Sequence, residues 1–226
     1  MDEPVSVNTK EGMSITTLVF DFGNVLGLFS HRKAAEQLAA YSTDSAEFIQ
    51  AYLFGGQLED DYESGRISTR VLMGLVRETC HVRCSDAQFA RAFGDMFSRN
   101  EPVCALVPRL RPRYRLLLLS NTNDLHARQF TAQFADVFAH FDKLVLSYEV
   151  GLRKPDPAVF AYCERVAGAP PNQVLFIDDL PTNVEAARDY GWEGIVYRPG
   201  TDLKPQLTAA GVVLAPERDP SHRREP

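Results

Sequence analysis

Apolar positions in this chain fall into two periods. Short, nearly unbroken apolar runs occur at about Ile15 to Phe20, Arg115 to Leu119, Lys143 to Ser147, Val174 to Ile177 and Gly194 to Tyr197. Runs of this length read as strands buried on both faces. Helical spacing fills the gaps after residue 100. One helix precedes Arg115, and others span about Asp124 to Phe138, Pro157 to Ala167 and Asn183 to Tyr190. Pro157 suits a first helical turn, where its missing N–H costs nothing. Strands and helices in alternation predict an α/β fold, a Rossmann-like parallel sheet with helices on both faces. Residues 201–214 add a short helix and strand.

Between the first two strands the period is helical throughout. His31 to Tyr41 is one helix, and Asp44 caps a second that runs through Phe54 until Gly55-Gly56 breaks it. Ser68 opens a third, with Val71, Leu72, Leu75 and Val76 on one face. Ser85 opens a fourth, with Phe89, Phe93, Met96 and Phe97 aligned. These Met and Phe stripes are core packing. The expected organisation is a polar, mobile lead-in at 1–14, a core built from 15–30 and 101–214, an inserted all-helical cap at 31–100, and a charged, Pro-rich disordered tail at 215–226. No internal repeat is visible.

The 226 residues are 45% hydrophobic and 24% charged, with a formal net charge of −6. That balance is ordinary for a globular protein and argues against nucleic acid or an anionic membrane surface as a partner. Phosphate binding must therefore come from local groups. No apolar run reaches the roughly 18 residues needed to cross a bilayer, and the first residues carry no secretory pattern. Cys80, Cys84, Cys104 and Cys163 form neither a disulfide framework nor a zinc signature, so free thiols and a cytoplasmic location are expected.

Candidate chemistry sits where the strands end. The first runs into Asp21-Phe22-Gly23-Asn24, the second into Ser120-Asn121-Thr122-Asn123. The third leads to Gly151-Leu152-Arg153-Lys154-Pro155, and the fourth into Asp178-Asp179. Ligands of open α/β sheets bind outside the carboxyl ends of the strands. Taken singly, Asp21 is equally a turn-former or helix cap, Ser120 a cap, Lys154 a solvated turn residue, and Asp178-Asp179 a helix N-terminal charge pair. In this order they resemble the haloacid dehalogenase-like (HAD) hydrolases over roughly residues 18–196. Asp-Phe-Gly-Asn-Val, Ser-Asn-Thr-Asn and Gly-Leu-Arg-Lys-Pro further resemble the α-D-glucose-1-phosphate phosphatase-like subgroup.

The resemblance implies a Mg²⁺-dependent phosphatase acting on a small phosphorylated metabolite through an aspartyl-phosphate intermediate. It implies Asp21, Ser120 and Lys154 as catalytic residues and Ser120, Asn121 and Lys154 as phosphate ligands. The implied Mg²⁺ ligands are Asp21, the Gly23 carbonyl, Asp178 and Asp179. Asn183 would hold the Asp-Asp loop, Arg153 and Asn123 would lie at the rim, and residues 31–100 would be a type 1 cap that covers the site. One departure stands out. The family usually places a general-acid Asp two residues after the nucleophile, and here that residue is Gly23. General acid–base help is worth about 10²–10⁴ in rate. Its loss leaves His31 as a cap-side substitute, or a surface histidine at a helix start. It also keeps open two other readings: a metal-independent dehalogenase, or a weakly active binding or regulatory protein of the same fold. The sequence says nothing of oligomeric state.

Overall fold

The computed structural model describes residues 14–216; the lead-in up to Met13 and the tail from Glu217 lie outside the described residues. Five strands form one parallel sheet: β1 (Thr17–Phe20), β4 (Arg115–Ser120), β5 (Lys143–Leu146), β6 (Val174–Asp178) and β7 (Glu193–Val196). Their spatial order is β5-β4-β1-β6-β7. Side chains alternate between two buried faces. Leu18, Phe20, Leu116, Leu118, Leu175 and Ile177 join one core. Val19, Leu117, Leu119, Val174 and Phe176 join the other. Burial on both faces explains why these strands read as unbroken apolar runs.

The remaining strands, β2 (Gly27–Phe29) and β3 (Phe97–Arg99), pair antiparallel across the base of the insertion. Between them lie five helices: α1 (His31–Ala39), α2 (Ala46–Leu53), α3 (Gln57–Glu63), α4 (Thr69–Thr79) and α5 (Asp86–Gly94). Ser30, Ser45, Ser68 and Ser85 cap α1, α2, α4 and α5 with their hydroxyls, and Ser85 with Gln88 completes a capping box. The sheet is flanked by α6 (Glu101–Cys104), α7 (Val107–Leu110), α8 (Asp124–Gln133), α9 (Ala135–Phe138), α10 (Ser147–Val150), α11 (Pro157–Ala167), α12 (Pro181–Tyr190) and α13 (Lys204–Ala209). Insertion and core meet where α5 packs on α8 and where α3 touches α10.

Several expected elements differ in detail. Ser45, not Asp44, caps α2; Asp44 instead pairs with His81 at 2.8 Å. Met96 and Phe97 do not extend the helical stripe, because the chain turns extended at Met96 to make the β2–β3 ribbon, so residues 31–100 are not wholly helical. The span 124–138 breaks at Phe134 into two helices. Residues 201–214 supply α13 but no strand. Two helices have no apolar signature in the sequence. One is α10. The other is α3, whose sequence Gln-Leu-Glu-Asp-Asp-Tyr-Glu is mostly polar. All four cysteines are free. Among the described residues, no helix is long and apolar enough to cross a membrane.

Two glycines test the packing in opposite directions. A Cβ at Gly27 would sit 2.4 Å from Phe22 Cζ, whereas one at Gly74, within α4, meets nothing within 4 Å. Gly27→Ala should lose about 1–3 kcal/mol of stability by overpacking. Gly74→Ala should gain about 0.5–1 kcal/mol, the helix-interior difference between the two residues. Urea unfolding of both variants checks the signs.

Candidate active site

Strand register brings the expected residues together. Phe20 is level with Ile177 across the β1–β6 pair, so Asp21 and Asp178 emerge side by side. The Asp21 N–H donates to the Ile177 carbonyl at 2.8 Å. On the other side of β1, β4 ends in buried Ser120. Asp21, Asp178 and Asp179 each offer one oxygen, and these atoms lie within 4.8 Å of one another. Lys154 reaches in between: its Nζ is 2.7 Å from Asp21 Oδ1 and 2.7 Å from Asp178 Oδ2.

Each of these groups is held from behind. Asp178 accepts from the Leu180 N–H at 2.8 Å and from the Asn183 amide at 3.1 Å to both oxygens. Asn183 thus occupies the place expected of it, behind the Asp-Asp loop. Asn24, in a left-handed conformation, donates to Asp179 Oδ2 at 3.0 Å. Asn121 clasps the backbone of Lys154, accepting from its N–H and donating to its carbonyl, both at 2.9 Å. The Asn121 side chain therefore positions Lys154, leaving the Asn121 backbone N–H as the group expected on the phosphate.

Burial pushes the Asp21 carboxyl up to about 7; Lys154 opposes the shift, and Asp178 and Asp179 add to it. Burial also raises Asp179, against the Asn24 hydrogen bond. For Lys154 burial acts to lower the value, but Asp178 and Asp21 outweigh it and the ammonium is held above its ordinary range. With all groups ionised, three carboxylates face one ammonium, an excess of two negative charges. Hard oxygen donors carrying that excess suit a divalent cation such as Mg²⁺.

Beside this cluster lies a cavity of about 50 Å³ bordered by residues of both parts of the chain, among them Gly23, Phe29, His31, Glu63, Ser120 and His126. Larger depressions elsewhere, such as one of about 610 Å³ bordered by Pro102, Arg109 and Tyr197, hold none of the acidic cluster. His31 does reach the cavity, stacked on Phe54 at 4.0 Å and 3.8 Å from Glu59. Burial lowers its value, with Glu59 opposing. Asn123 and Arg153 have other duties. Asn123 caps α8, and Arg153 forks onto Asp60 and Glu63 of α3.

Residues 15–191 match the protein family described as haloacid dehalogenase-like hydrolase. The chain belongs to that family. Among its HAD relatives is D-ribitol-5-phosphate phosphatase of Bacteroides thetaiotaomicron, 26% identical over 205 residues, covering 86% of this chain and 97% of the relative. Bifunctional epoxide hydrolase 2 of Rattus norvegicus is 31% identical over 204 residues, covering 82% of this chain, which spans 37% of that protein. A HAD family enzyme of Bacteroides thetaiotaomicron, solved with magnesium and inorganic phosphate, superposes with a TM-score of 0.75 at 27% identity, covering 86% of this chain and all of that one.

Two residues at the HAD site went unnoticed in the sequence. His126 is buried in α8, and its Nε2 has no hydrogen-bond partner. The Phe93 carbonyl faces the ring without hydrogen-bond geometry. Asn123 Oδ1 accepts from the His126 N–H at 3.0 Å, which fixes the amide so that Nδ2 donates to ring Nδ1 at 2.9 Å. The ring proton therefore sits on Nε2. Glu63 ends α3, its backbone carbonyl 2.6 Å from Ser147 Oγ and its Oε2 2.7 Å from Arg153.

The raised Asp21 carboxyl has a consequence for stability. A carboxyl whose folded value lies above its unfolded 3.8 stabilises the fold at low pH and loses that contribution as pH rises to about 7. In buffer free of divalent cations, the melting temperature should fall over that window, and Asp21→Asn should flatten the fall. An unchanged slope in the variant contradicts the assignment.

Proposed function

We propose that this HAD hydrolase is a Mg²⁺-dependent phosphatase that cleaves the monoester of a small phosphorylated metabolite through an aspartyl-phosphate on Asp21. The observation that carries the reading is the convergence of the Asp21, Asp178 and Asp179 oxygens within 4.8 Å beside Lys154. A relative named for D-ribitol-5-phosphate and a similar structure solved with magnesium and phosphate support it. Resemblance to the α-D-glucose-1-phosphate phosphatase-like subgroup points to a sugar or polyol phosphate. Four free thiols agree with the cytoplasm as its compartment.

Asp21, Asp178, Asp179 and the Gly23 carbonyl would hold the cation. When bound, it offsets the repulsion between the Asp21 carboxylate and a phosphate dianion. Lys154 and the Ser120 hydroxyl would bind phosphoryl oxygens, with the Asn121 backbone N–H as a further donor. Asp21 attacks phosphorus through the oxygen that faces Gly23; its bond to phosphorus forms as the ester oxygen departs and takes a proton. Water then attacks the aspartyl-phosphate, freeing inorganic phosphate and restoring Asp21.

The cap sets the conditions for entry. A cavity of about 50 Å³ is far smaller than the roughly 300–1,000 Å³ typical of small-molecule pockets. A phosphorylated polyol therefore enters only when the cap swings off the core, and closure over it excludes bulk water.

Asp21→Asn should lose several orders of magnitude in turnover while the fold persists, since amide and carboxylate are nearly isosteric. Asp179→Ala should lose Mg²⁺-dependent activity and, without cation, melt no lower than wild type, because it relieves like-charge crowding. Phosphate release from a sugar-phosphate panel, with Mg²⁺ or with chelator, reads both. Undiminished release in chelator contradicts the metal assignment.

A further inference from the structure

The carboxyl group missing at Gly23 has a physical reason and needs a replacement. A Cβ built on Gly23 would lie 3.0 Å from Phe29 Cε1, so the ring from β2 fills the space an acid there would use. The proton for the leaving oxygen must come from another side chain bordering the same cavity, and three titratable ones do: His31, Glu63 and His126.

Two of these are poorly suited to give a proton. His126 is neutral, with its single ring proton on Nε2 and its value pushed down to about 3 by burial, His31 adding to the shift. Donating that proton would leave an imidazolate. His31 must first become an imidazolium, which burial between aromatic rings disfavours.

Glu63 is placed differently. Arg153 holds only Oε2; Oε1 makes no hydrogen bond among the described residues and is not sealed off from the cavity. The same guanidinium also holds Asp60, and Glu59 stands one turn before Glu63 on α3. Two carboxylates thus share one guanidinium with Glu59 as a third close by, and a single proton on Glu63 relieves the crowding. The charged or titratable groups around Glu63 are Glu59 and Asp60 on its own helix, Arg153 and Lys154 from the core, His31 on α1 and His126 on α8. Burial, with Glu59 adding and Arg153 and Lys154 opposing, brings Glu63 up to about 7. A phosphate dianion beneath it raises it further.

We propose that Glu63, carried by the cap on α3, is the general acid of the reaction, standing in for the side chain Gly23 lacks. The assignment rests on the phosphatase reading. As Asp21 bonds to phosphorus and the ester P–O bond breaks, Oε1–H passes its proton to the departing oxygen. The resulting carboxylate accepts a proton from the water that attacks the aspartyl-phosphate, and the cycle closes with Glu63 protonated again. Because Glu63 belongs to the cap, acid and nucleophile meet only in the closed state.

The test uses the full chain with Mg²⁺ and a series of monoesters from 4-nitrophenyl phosphate to a simple alkyl phosphate. It reads kcat/KM, which covers leaving-group departure, as a function of pH. Glu63→Gln keeps an acceptor for Arg153. It should lose about 10²–10⁴-fold on the alkyl ester yet retain its rate on 4-nitrophenyl phosphate, whose phenolate departs without a proton; that ester also reports correct folding. The wild-type alkyl profile should fall as pH rises past neutrality, and the fall should vanish in the variant. Equal loss on both esters, no loss on the alkyl ester, or a wild-type alkyl rate that does not fall with pH overturns the assignment. Wild type inert toward every ester, 4-nitrophenyl phosphate included, removes the phosphatase reading itself and this acid with it.

Discussion

Lys154 is the interaction on which the site depends. Two buried carboxylates, Asp21 and Asp178, stand level at the ends of adjacent strands, and its ammonium lies 2.7 Å from each. Unpaired charge in such a place is costly: removing one partner of a buried pair typically loses about 3–5 kcal/mol. The surrounding contacts serve this arrangement. Asn121 fixes the Lys154 backbone, Asn183 and the Leu180 N–H fix Asp178, and Asn24 fixes Asp179. One ammonium still leaves the three carboxylates under-neutralised. That deficit is what equips the site for a divalent cation and a phosphoryl group.

The sheet supplies this geometry because it is parallel. Three neighbouring strands, β4, β1 and β6, end on the same edge, so Ser120, Asp21 and Asp178 converge without a long loop. The β2–β3 ribbon then joins the ends of the insertion close to Gly23, and Phe29 of that ribbon occupies the space beside it. The cap approaches from the other side through α3. Arg153 and Ser147 of the core grip Glu63 of the cap, so these contacts tie the cap to the core at the edge of the cavity.

The parts legible in the sequence were those written in short, local patterns. Buried strands announce themselves as apolar runs, and three of those runs end in the polar residues that the sheet brings into one cluster, Asp21, Ser120 and Asp178-Asp179. Ser68 and Ser85 mark two cap helices in the sequence, whereas the caps at Ser30 and Ser45 emerge only in the structure, Asp44 being the more acidic neighbour of Ser45. What stayed hidden depends on contacts between distant segments. Glu63 lies on a helix with no apolar period, and its burial comes from Ser147 and Arg153. His126 is conspicuous only once Asn123 and Phe93 surround it. Asn121 carries a second duty of the same kind, since its side-chain amide holds the Lys154 backbone across 33 positions of sequence.

The central claim is that Asp21 forms a covalent bond to phosphorus. An acyl phosphate, unlike a free carboxylate, is reduced by borohydride to an alcohol. Quenching the enzyme in acid during turnover of a phosphate monoester, reducing it, and sequencing its peptides by mass spectrometry therefore reports the nucleophile directly. The account predicts homoserine at position 21, present only when substrate and Mg²⁺ were both added. Steady phosphate release with position 21 left as unmodified aspartate, or with the reduced residue elsewhere in the chain, would contradict it.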